Sequence, residues 1–427
     1  MRFEEALEEL DARQPERMVP DLTRITALAE QLDAPQLRYP TIHVTGTNGK
    51  TTTARSITGL ACAHGLTTGL YTSPHLHSVI ERIAVCGEPI SEEEFASEYE
   101  RLLPVLELVD AKGQRVTYFE ALTALAYVWF SDKPVSLGVF EVGMGGVWDA
   151  TNLVAGDVAV ICPIALDHPE LGSTVEQIAT EKAGIVKPGK VVVSREQPEE
   201  AFRVIRDRCE GFEARLLYEG RDFALEERRP AVGGQVISVR GLNATYDDLM
   251  LPLFGEHVAR NAAAAIVALE AFLDRALSPK VTRAVLAKAT SPGRLEVAAR
   301  RPVILLDGAH NPSGAQALAT ALREAFAWSR LHVVMAVSAN KDVASIVAAL
   351  APLTDRAYAA RNESARSGGA ERVAEAFGEA GVPVVSFGSV AEALDAARAD
   401  ADEEDLILVT GSLYTVADAR VALGRGT

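Results

Sequence analysis

The 427-residue sequence predicts an α/β protein in which a P-loop-type domain with a mostly parallel sheet precedes a smaller doubly wound, Rossmann-like domain. Three observations predict this class. A glycine-rich loop over residues 46–51 joins a β-forming run to an amphipathic helical run. Several later strands are unbroken apolar runs, as expected of parallel strands buried on both faces. The chain is also too long for one ordinary core.

The loop reads Gly46-Thr47-Asn48-Gly49-Lys50-Thr51 and stands where a strand ends and a helix begins. Its glycines let the backbone N–H groups point inward, and a helix N-terminus adds positive potential, so an anion fits there. We expect Lys50 to reach the outer phosphates of a nucleotide and Thr51 to reach Mg²⁺. Val44 occupies the first glycine position of the general nucleotide pattern, so only the shorter loop pattern is met. The alternative is an ordinary threonine-rich turn.

Composition limits the classes of partner. The formal net charge of −17 argues against a nucleic-acid or anionic-membrane surface, so a phosphate site must be a local feature. No targeting segment or membrane-length apolar run is apparent. The four cysteines lie far apart without a C-x-x-C pair and predict neither a zinc site nor a disulfide framework, which fits a reducing cytoplasm. They are Cys62, Cys86, Cys162 and Cys209.

Periodicity places the elements of the first domain in order. Short helices are expected over 1–38, and Thr117 with Glu120 forms a capping-box pattern before a further helix. Residues 211–250 are β-like and irregular, and indicate an excursion from the sheet. The other predicted helices are 91–110, 121–130, 174–184 and 259–273, and the other predicted strands are 67–71, 135–140, 157–165 and 191–194.

A break at Ser291-Pro292-Gly293-Arg294 is the preferred domain boundary, which gives domains 1–294 and 295–427. Beyond it, β runs alternate with helical runs, which predicts a second doubly wound sheet. The predicted strands are 303–307, 332–337, 356–360, 382–387 and 406–410.

Ligands of open α/β sheets bind beyond the carboxyl ends of the strands, and Ser73, Glu141 and His168 fall at such ends together with the loop. A carboxylate and hydroxyls beside nucleotide phosphates suit Mg²⁺. Imidazole is an unusual Mg²⁺ ligand, so chemistry alone leaves His168 equally suited to a hydrogen-bonding role.

The loop resembles the ATP site of the Mur ligase superfamily, whose members form amides by activating a carboxylate as an acyl phosphate. The downstream motifs are similar to those of the dihydrofolate synthase/folylpolyglutamate synthase family, and the resemblance covers nearly the whole chain. It implies that Ser73, Glu141 and His168 bind Mg²⁺, through motifs that read T-S-P-H, E-V-G-x-G-G and D-H here.

The resemblance also implies substrate contacts. A pteroate pocket is expected at Thr117, Tyr118, Phe119, Glu120, Trp148, Asp149 and Ala150. Taken alone, Glu120 is a helix cap, and Phe119 and Trp148 are more often core residues. His310 and Ser412 are the candidates for the incoming glutamate, although His310 is equally typical of a helix-capping turn. Nucleotide contacts are expected from Thr47, Asn48, Gly49, Lys50, Thr51, Asn261, Arg294 and Asp307.

The catalytic candidates are Lys50, Lys182, His168, Arg294 and His310. Lys182 matches a family segment whose lysine is carbamylated; the alternative is a lysine paired with a phosphate or with a carboxylate on a solvated face. The chain departs from the family pattern at three places. Thr51 replaces a glycine, Val147 stands where an arginine usually follows the glycines, and the segment 168–171 is one residue short.

The resemblance therefore implies an ATP- and Mg²⁺-dependent ligase that adds L-glutamate to 7,8-dihydropteroate, to folates, or to both. We expect a cytoplasmic monomer with small-molecule substrates and neither nucleic-acid nor membrane partners. One alternative is a peptidoglycan-precursor ligase, which carries an extra domain before the loop, where only about forty residues stand here. Another is an ATP-binding regulator without ligase chemistry.

Overall fold

A computed structural model describes residues 1–15, 19–113 and 115–425. The chain forms two compact units, and three segments contribute to each. The first unit comprises Met1–Glu227, Ile237–Leu249 and Arg260–Ala287, and the second comprises Arg228–Val236, Met250–Ala259 and Lys288–Thr427. Within the described part of the chain, no helix is long and apolar enough to cross a membrane.

An eight-stranded sheet organises the first unit, in the order β4-β3-β2-β5-β1-β6-β7-β8. Six strands are parallel, and the β3–β4 hairpin is an antiparallel edge. The strands are β1 (Thr41–Thr45), β2 (Thr68–Tyr71), β3 (Ile83–Val85), β4 (Glu88–Pro89), β5 (Leu137–Glu141), β6 (Val158–Ile161), β7 (Val191–Ser194) and β8 (Arg215–Tyr218).

The central strand β1 lies between β5 and β6, with Val44 opposite Glu141 and Thr45 opposite Ile161. All five residues of β1 and all five of β5 are buried, which explains why neither strand alternates in polarity. The loop after β1 and the end of β5 therefore meet at one edge of the sheet.

Helices cover both faces of this sheet. An aromatic-rich core packs beneath α1, α2, α4 and α5, and an aliphatic core packs beneath α6 and α7. The helices are α1 (Phe3–Asp11), α2 (Thr23–Gln31), α3 (Lys50–Ala63), α4 (Glu92–Asp110), α5 (Tyr118–Asp132), α6 (Val175–Lys182), α7 (Glu199–Gly211), α8 (Glu256–Leu273) and α9 (Pro279–Leu286).

The predicted excursion after the first sheet contains a three-stranded sheet in the order β11-β10-β9. Its strands are β9 (Ala224–Ala231), β10 (Gly234–Arg240) and β11 (Thr245–Leu251). The expected Gly233-Gly234 turn joins β9 to β10, and both glycines have positive φ.

The second unit contains a six-stranded sheet in the order β12-β13-β17-β14-β15-β16. Five strands are parallel, as predicted, and its core lies beneath α10, α11 and α12. The strands are β12 (Glu296–Arg300), β13 (Val303–Leu306), β14 (Leu331–Met335), β15 (Arg356–Ala359), β16 (Val384–Ser386) and β17 (Leu406–Thr410). The helices are α10 (Pro312–Ala325), α11 (Val343–Leu350), α12 (Ala370–Glu379), α13 (Val390–Asp400) and α14 (Leu413–Ala422).

The second unit takes its last segment from Lys288 onward, and Arg294 lies in that segment. Hydrogen bonds within the second unit explain this. The Gly308 N–H donates to the Gly293 carbonyl at 2.8 Å, and the Leu295 N–H donates to Asp307 Oδ2 at 2.9 Å.

The cysteine prediction was wrong for one pair. Cys62, near the end of α3, and Cys86, in the turn after β3, form a disulfide bond across 24 residues of sequence, while Cys162 and Cys209 are free and buried. The β2–β3 hairpin brings Cys86 back beside the strand that follows α3, and the Thr68 N–H donates to Cys86 Sγ. The pairing of β2 with β3 brings the two cysteines together, and the spacing of cysteines in the sequence does not predict that pairing.

Candidate active site

The glycine loop adopts a conformation that only glycine tolerates at two positions. Gly46 and Gly49 have φ values of +144° and +89°. A Cβ atom on Gly46 would lie 2.5 Å from Cys162 Cβ, and one on Gly49 would lie 2.6 Å from Asn261 Nδ2. The loop thus passes too close to its neighbours for a side chain at either position.

Thr47 fixes the middle of the loop to the segment after β6. Its N–H donates to the Pro163 carbonyl at 2.9 Å, and its hydroxyl donates to the Ala165 carbonyl at 3.0 Å. The Ala165 N–H in turn donates to the Thr47 hydroxyl at 3.0 Å. Helix α3 then begins at Lys50, so its first N–H groups face the loop, as a phosphate site requires.

Two lysines share one carbonyl oxygen of the loop. Lys50 Nζ donates to Gly46 O at 3.1 Å and to Thr47 O at 3.4 Å, and Lys182 Nζ donates to Gly46 O at 2.9 Å. Among the described residues, no carboxylate lies within ion-pair distance of either amine. The pKa of Lys182, which is 4% exposed, is lowered to about 7, by burial first and by the charge of Lys50 second.

Glu141, at the end of β5, connects the loop helix to the segment after β2. The Thr51 hydroxyl donates to Glu141 Oε1 at 2.8 Å, and the Ser73 N–H donates to Glu141 Oε2 at 3.3 Å. The carboxylate is almost fully buried. The Thr51 hydroxyl and the Ser73 backbone therefore meet at the Glu141 carboxylate, and hydroxyl and carboxylate oxygens are the hard ligands that Mg²⁺ prefers.

The His168 ring lies beside two carboxylates. Its Nε2 lies 3.6 Å from Asp167 Oδ2, and its Nδ1 lies 4.0 Å from Glu170 Oε2. It adopts φ +51° before the short 3₁₀ turn Pro169–Leu171. In the described ranges, no three His, Cys, Asp or Glu side chains are spaced to hold a metal. Metal binding by His168 stays a prediction.

The predicted pteroate residues divide into two kinds. Glu120 and Asp149 are buried and engaged by the protein itself. Glu120 Oε2 accepts from the Thr117 N–H at 2.8 Å, and the carboxylate accepts from Arg24 Nε at 2.9 and 3.0 Å. Both the capping box and a buried ion pair are thus present.

Asp149 similarly shapes the loop that precedes the 3₁₀ turn Ala150–Leu153. Its Oδ2 accepts from the Met144 N–H at 2.9 Å, its Oδ1 accepts from the Thr151 N–H at 3.0 Å, and burial raises its pKa. Phe119 and Trp148 are only partly buried, which leaves aromatic surface for a ligand. Ala150 is buried, and its carbonyl accepts from the Tyr127 hydroxyl at 2.8 Å.

Four predicted residues lie at the carboxyl ends of β13 and β17 in the second unit. Asp307 accepts from the N–H groups of Leu295 and Ala309 at 2.9 and 2.8 Å. Burial raises its pKa, and the charge of Arg294 opposes that rise. His310 Nδ1 lies 2.9 Å from the Gly308 carbonyl.

Ser412 caps α14 by accepting from the Thr415 N–H at 3.0 Å. The sequence did not single out Asn362, whose buried amide donates to the Ser412 and Thr415 hydroxyls at 3.1 Å each. Asn362 follows β15, so the carboxyl-end rule offered a signal that was not used.

The sequence also did not single out Arg195, although this residue directly follows the carboxyl end of β7. Its Nη1 donates to Asn261 Oδ1, and its Nε pairs with Glu219 at 2.7 Å. The predicted nucleotide residue Asn261 is thereby oriented against Gly49.

Two family models match the chain. The Mur ligase middle domain matches residues 44–269, and the Mur ligase glutamate ligase domain matches residues 293–413. The dihydrofolate synthase/folylpolyglutamate synthase of Mycobacterium tuberculosis is 41% identical over 451 residues, which cover 97% of this chain and 93% of that protein. The protein of the same name from Bacillus subtilis is 33% identical, with 95% of each chain covered.

Solved structures agree with these relatives. Mycobacterium tuberculosis folylpolyglutamate synthase complexed with ADP superposes with a TM-score of 0.95 at 41% identity, and the match covers 99% of this chain and 98% of that one. The chain belongs to the Mur ligase family of dihydrofolate and folylpolyglutamate synthases. The Escherichia coli FolC structure in complex with DHPP and ADP gives a TM-score of 0.89 at 32% identity, covering 99% and 98%.

Membership in this family confirms the predicted fold and activity class. The protein is an ATP-dependent ligase that joins glutamate in amide linkage, so a regulator without ligase chemistry is excluded. The relatives carry the name of folate ligases and not of peptidoglycan-precursor ligases.

Proposed function

We propose that the enzyme adds L-glutamate to both 7,8-dihydropteroate and folates, through an acyl phosphate formed from ATP. One observation carries this proposal: Lys50, Lys182 and Glu141 converge on a glycine loop at the carboxyl edge of the first sheet. The double name of the Mycobacterium and Bacillus relatives, dihydrofolate synthase/folylpolyglutamate synthase, supports both acceptors.

Lys50 would neutralise charge on the transferring phosphoryl group, because its ammonium lies at the loop and has no carboxylate partner in the described residues. The acceptor carboxylate attacks the terminal phosphorus, ADP leaves, and the glutamate amine then displaces phosphate from the acyl phosphate. We assign Thr51, Ser73, Glu141 and His168 to Mg²⁺, which would supply charge neutralisation at the phosphates.

Lys182 would act as a carbamate. Because burial and Lys50 lower its pKa to about 7, a large fraction of the amine is neutral at physiological pH and can attack CO₂. A bond forms between Nζ and the carbon, one amine proton passes to solvent, and the product is an anion. That anion would remove the like-charge repulsion between the two lysines.

We assign the other predicted residues to the substrates. Thr47, Asn48, Gly49, Asn261, Arg294 and Asp307 would bind the nucleotide, while His310 and Ser412 would bind glutamate. Tyr118, Phe119, Trp148 and Ala150 would line the acceptor site, whose walls Thr117, Glu120 and Asp149 hold in place through the contacts described above. We further propose domains 1–294 and 295–427 as functional divisions, and a cytoplasmic monomer.

Phosphate release tests this proposal. ATP should be hydrolysed slowly with dihydropteroate alone or glutamate alone, and rapidly when both are present, with one amide product per phosphate. A folyl monoglutamate should replace dihydropteroate. Phosphate release that is independent of glutamate, or the absence of a glutamylated product, would contradict the function.

A further inference from the structure

Arg82 is a buried cation that no carboxylate in the described part of the chain neutralises. It ends the 3₁₀ turn Val79–Arg82 and is 9% exposed. Its Nε donates to His75 Nδ1 at 2.9 Å, and no Asp or Glu oxygen of the described residues lies within ion-pair distance of the guanidinium. A guanidinium carries five N–H donors, and burying its charge without an anion is costly. Such a group is typical of a site that receives an anionic ligand.

The surrounding segment fixes the position of Arg82. Its carbonyl accepts from the Thr72 N–H at 2.9 Å, which closes the loop. Glu81, the nearest carboxylate in sequence, accepts instead from the backbone N–H groups of residues 76–78 at 2.8 to 3.0 Å. The side-chain acceptor of the guanidinium is instead a ring nitrogen, His75 Nδ1. The arginine is thus held by neutral acceptors.

Arg82 lies between the two halves of the proposed substrate path in the first unit. On one side, Ser73 follows the loop closure and donates its N–H to Glu141. On the other side, the guanidinium carbon lies 5.5 Å from the centre of the Tyr118 ring. The neighbouring aromatic wall continues through Phe119, whose ring centre lies 6.0 Å from that of Tyr71. The cation therefore stands between the segment that carries Ser73 and the aromatic residues Tyr118 and Phe119.

We propose that Arg82 binds a carboxylate of the pteroyl acceptor and thereby selects acidic acceptors; this inference rests on the proposed function. Guanidinium and carboxylate can form two parallel charge-assisted hydrogen bonds, which fix orientation as well as affinity. A local cation is required because the chain carries a net charge of −17. Val147, 43% exposed, supplies none at the position where the family resemblance leads us to expect an arginine.

Binding measurements on the ADP-loaded protein test the assignment. The probes are dihydropteroate, a folyl monoglutamate and a decarboxylated dihydropteroate analogue. In Arg82→Gln, affinity for the carboxylate-bearing ligands should fall by about 10- to 100-fold, as expected for a lost charge-assisted pair. Affinity for the decarboxylated analogue and for ADP should stay within about twofold. Arg82→Lys keeps the charge but loses the paired N–H donors of the guanidinium, so its affinity for these ligands should lie between those of the wild type and Arg82→Gln.

Arg101→Gln is the matched control, because Arg101 is an exposed arginine paired with Glu98, and it should bind every ligand like the wild type. If Arg82→Gln weakens the binding of both dihydropteroate and the folyl monoglutamate, Arg82 contacts the reacting carboxylate. If only the binding of the folyl monoglutamate is weakened, Arg82 contacts a glutamyl carboxylate. Equal weakening of the decarboxylated analogue would overturn the proposal, since Arg82 would then only support the wall. If the wild type glutamylates no pteroyl acceptor, the proposed function fails instead.

Discussion

Two buried polar clusters, one in each unit, differ in how their charges are matched. At the carboxyl edge of the first sheet, Lys50 and Lys182 both donate to Gly46 O without a carboxylate partner in the described residues. The two like charges are held together by a neutral oxygen. The arrangement costs free energy in the free protein and becomes favourable when an anion arrives.

Near the amino ends of the strands in the second sheet, the charges are balanced. Asp405 Oδ2 accepts from Arg330 Nη2 at 2.6 Å and lies 3.3 Å from His332 Nε2. Tyr358 lies 3.0 Å from His332 Nδ1 and donates to Asp400 Oδ2 at 2.8 Å. Burial raises the pKa of Asp405, but the hydrogen bonds from Arg330, the Asp402 N–H and His332 together outweigh it and hold that pKa at about 2. This cluster is complete without a ligand.

Charge matching separates the binding site from the structural network more clearly than burial does, because Lys182 and Asp405 are both almost fully buried. Unmatched charge at the carboxyl edge of a parallel sheet indicates ligand binding, whereas matched charge at the amino edge indicates stability. Substitutions in the first cluster should therefore change activity, and substitutions in the second should change the free energy of unfolding.

Lys50→Ala should show the largest effect. We expect ligase turnover to fall about a thousandfold or more, since a phosphate-bound cation is lost from the transition state. The melting temperature should not fall, because an unmatched charge is removed. Lys133→Ala, at an exposed lysine, is the control and should retain full activity. Turnover within a few-fold of the wild type would remove the loop from the mechanism.

Lys182→Ala should lower turnover by about a hundredfold or more, with partial recovery on adding acetate or formate. In the wild type, removing CO₂ should inactivate the enzyme and bicarbonate should restore it. Because the pKa is about 7, the neutral amine becomes abundant as pH rises through 7, so reactivation should be faster at pH 8 than at pH 6. A Lys182→Ala enzyme that no carboxylate rescues, together with a wild type insensitive to CO₂, would exclude the carbamate.

Local sequence predicted the parts of the molecule whose pattern is local. The Gly46–Thr51 loop, the strands β1 and β5, and the capping box at Thr117 all appear where expected, because glycine spacing, apolar runs and cap residues act over a few positions. Ser73 and Glu141 were singled out by the carboxyl-end rule, and the structure brings them together.

Features that depend on distant partners were missed. Arg195 and Asn261 are 66 residues apart, and neither carries a local signal for their contact. Strand β12 was missed because a register shift between Val297 and Ala299 interrupts its pattern. Arg82 carries no local signal, because its lack of a carboxylate partner among the described residues is a property of the folded chain.

Asp405→Asn should destabilise the second unit without changing chemistry. The variant loses charge-assisted hydrogen bonds to a buried carboxylate while Arg330 stays half exposed, so the free energy of unfolding should fall by about 1–3 kcal/mol, which urea unfolding should detect. The wild type should also lose this contribution as pH falls from about 4 toward 2, because the folded pKa is depressed and protons bind the unfolded state first. Turnover at low temperature should stay within twofold of wild type. Asp395→Asn, at an exposed carboxylate, is the control.

The Cys62–Cys86 disulfide should give the smallest effect, although it lies in the unit that holds the loop. It joins the far end of α3, the helix that starts at Lys50, to the turn after β3. A cross-link over 24 residues contributes about 3 kcal/mol by restricting the unfolded chain, and less if the native geometry is imperfect.

Reduction, or a Cys62→Ser/Cys86→Ser double variant, should therefore lower the melting temperature by a few degrees and leave turnover unchanged, since neither sulfur touches the loop. Cys209→Ser, at a buried free thiol, is the control: it keeps the disulfide, so reductant should lower its melting temperature as it does in the wild type. Alkylation of the native, unreduced protein followed by mass analysis should leave Cys62 and Cys86 unmodified. If both are alkylated, the disulfide bond is not formed, and the four cysteines again fit a protein of the reducing cytoplasm. If reduction abolishes turnover, the distinction between binding and structural elements fails within the first unit, because a distant cross-link would then control the loop.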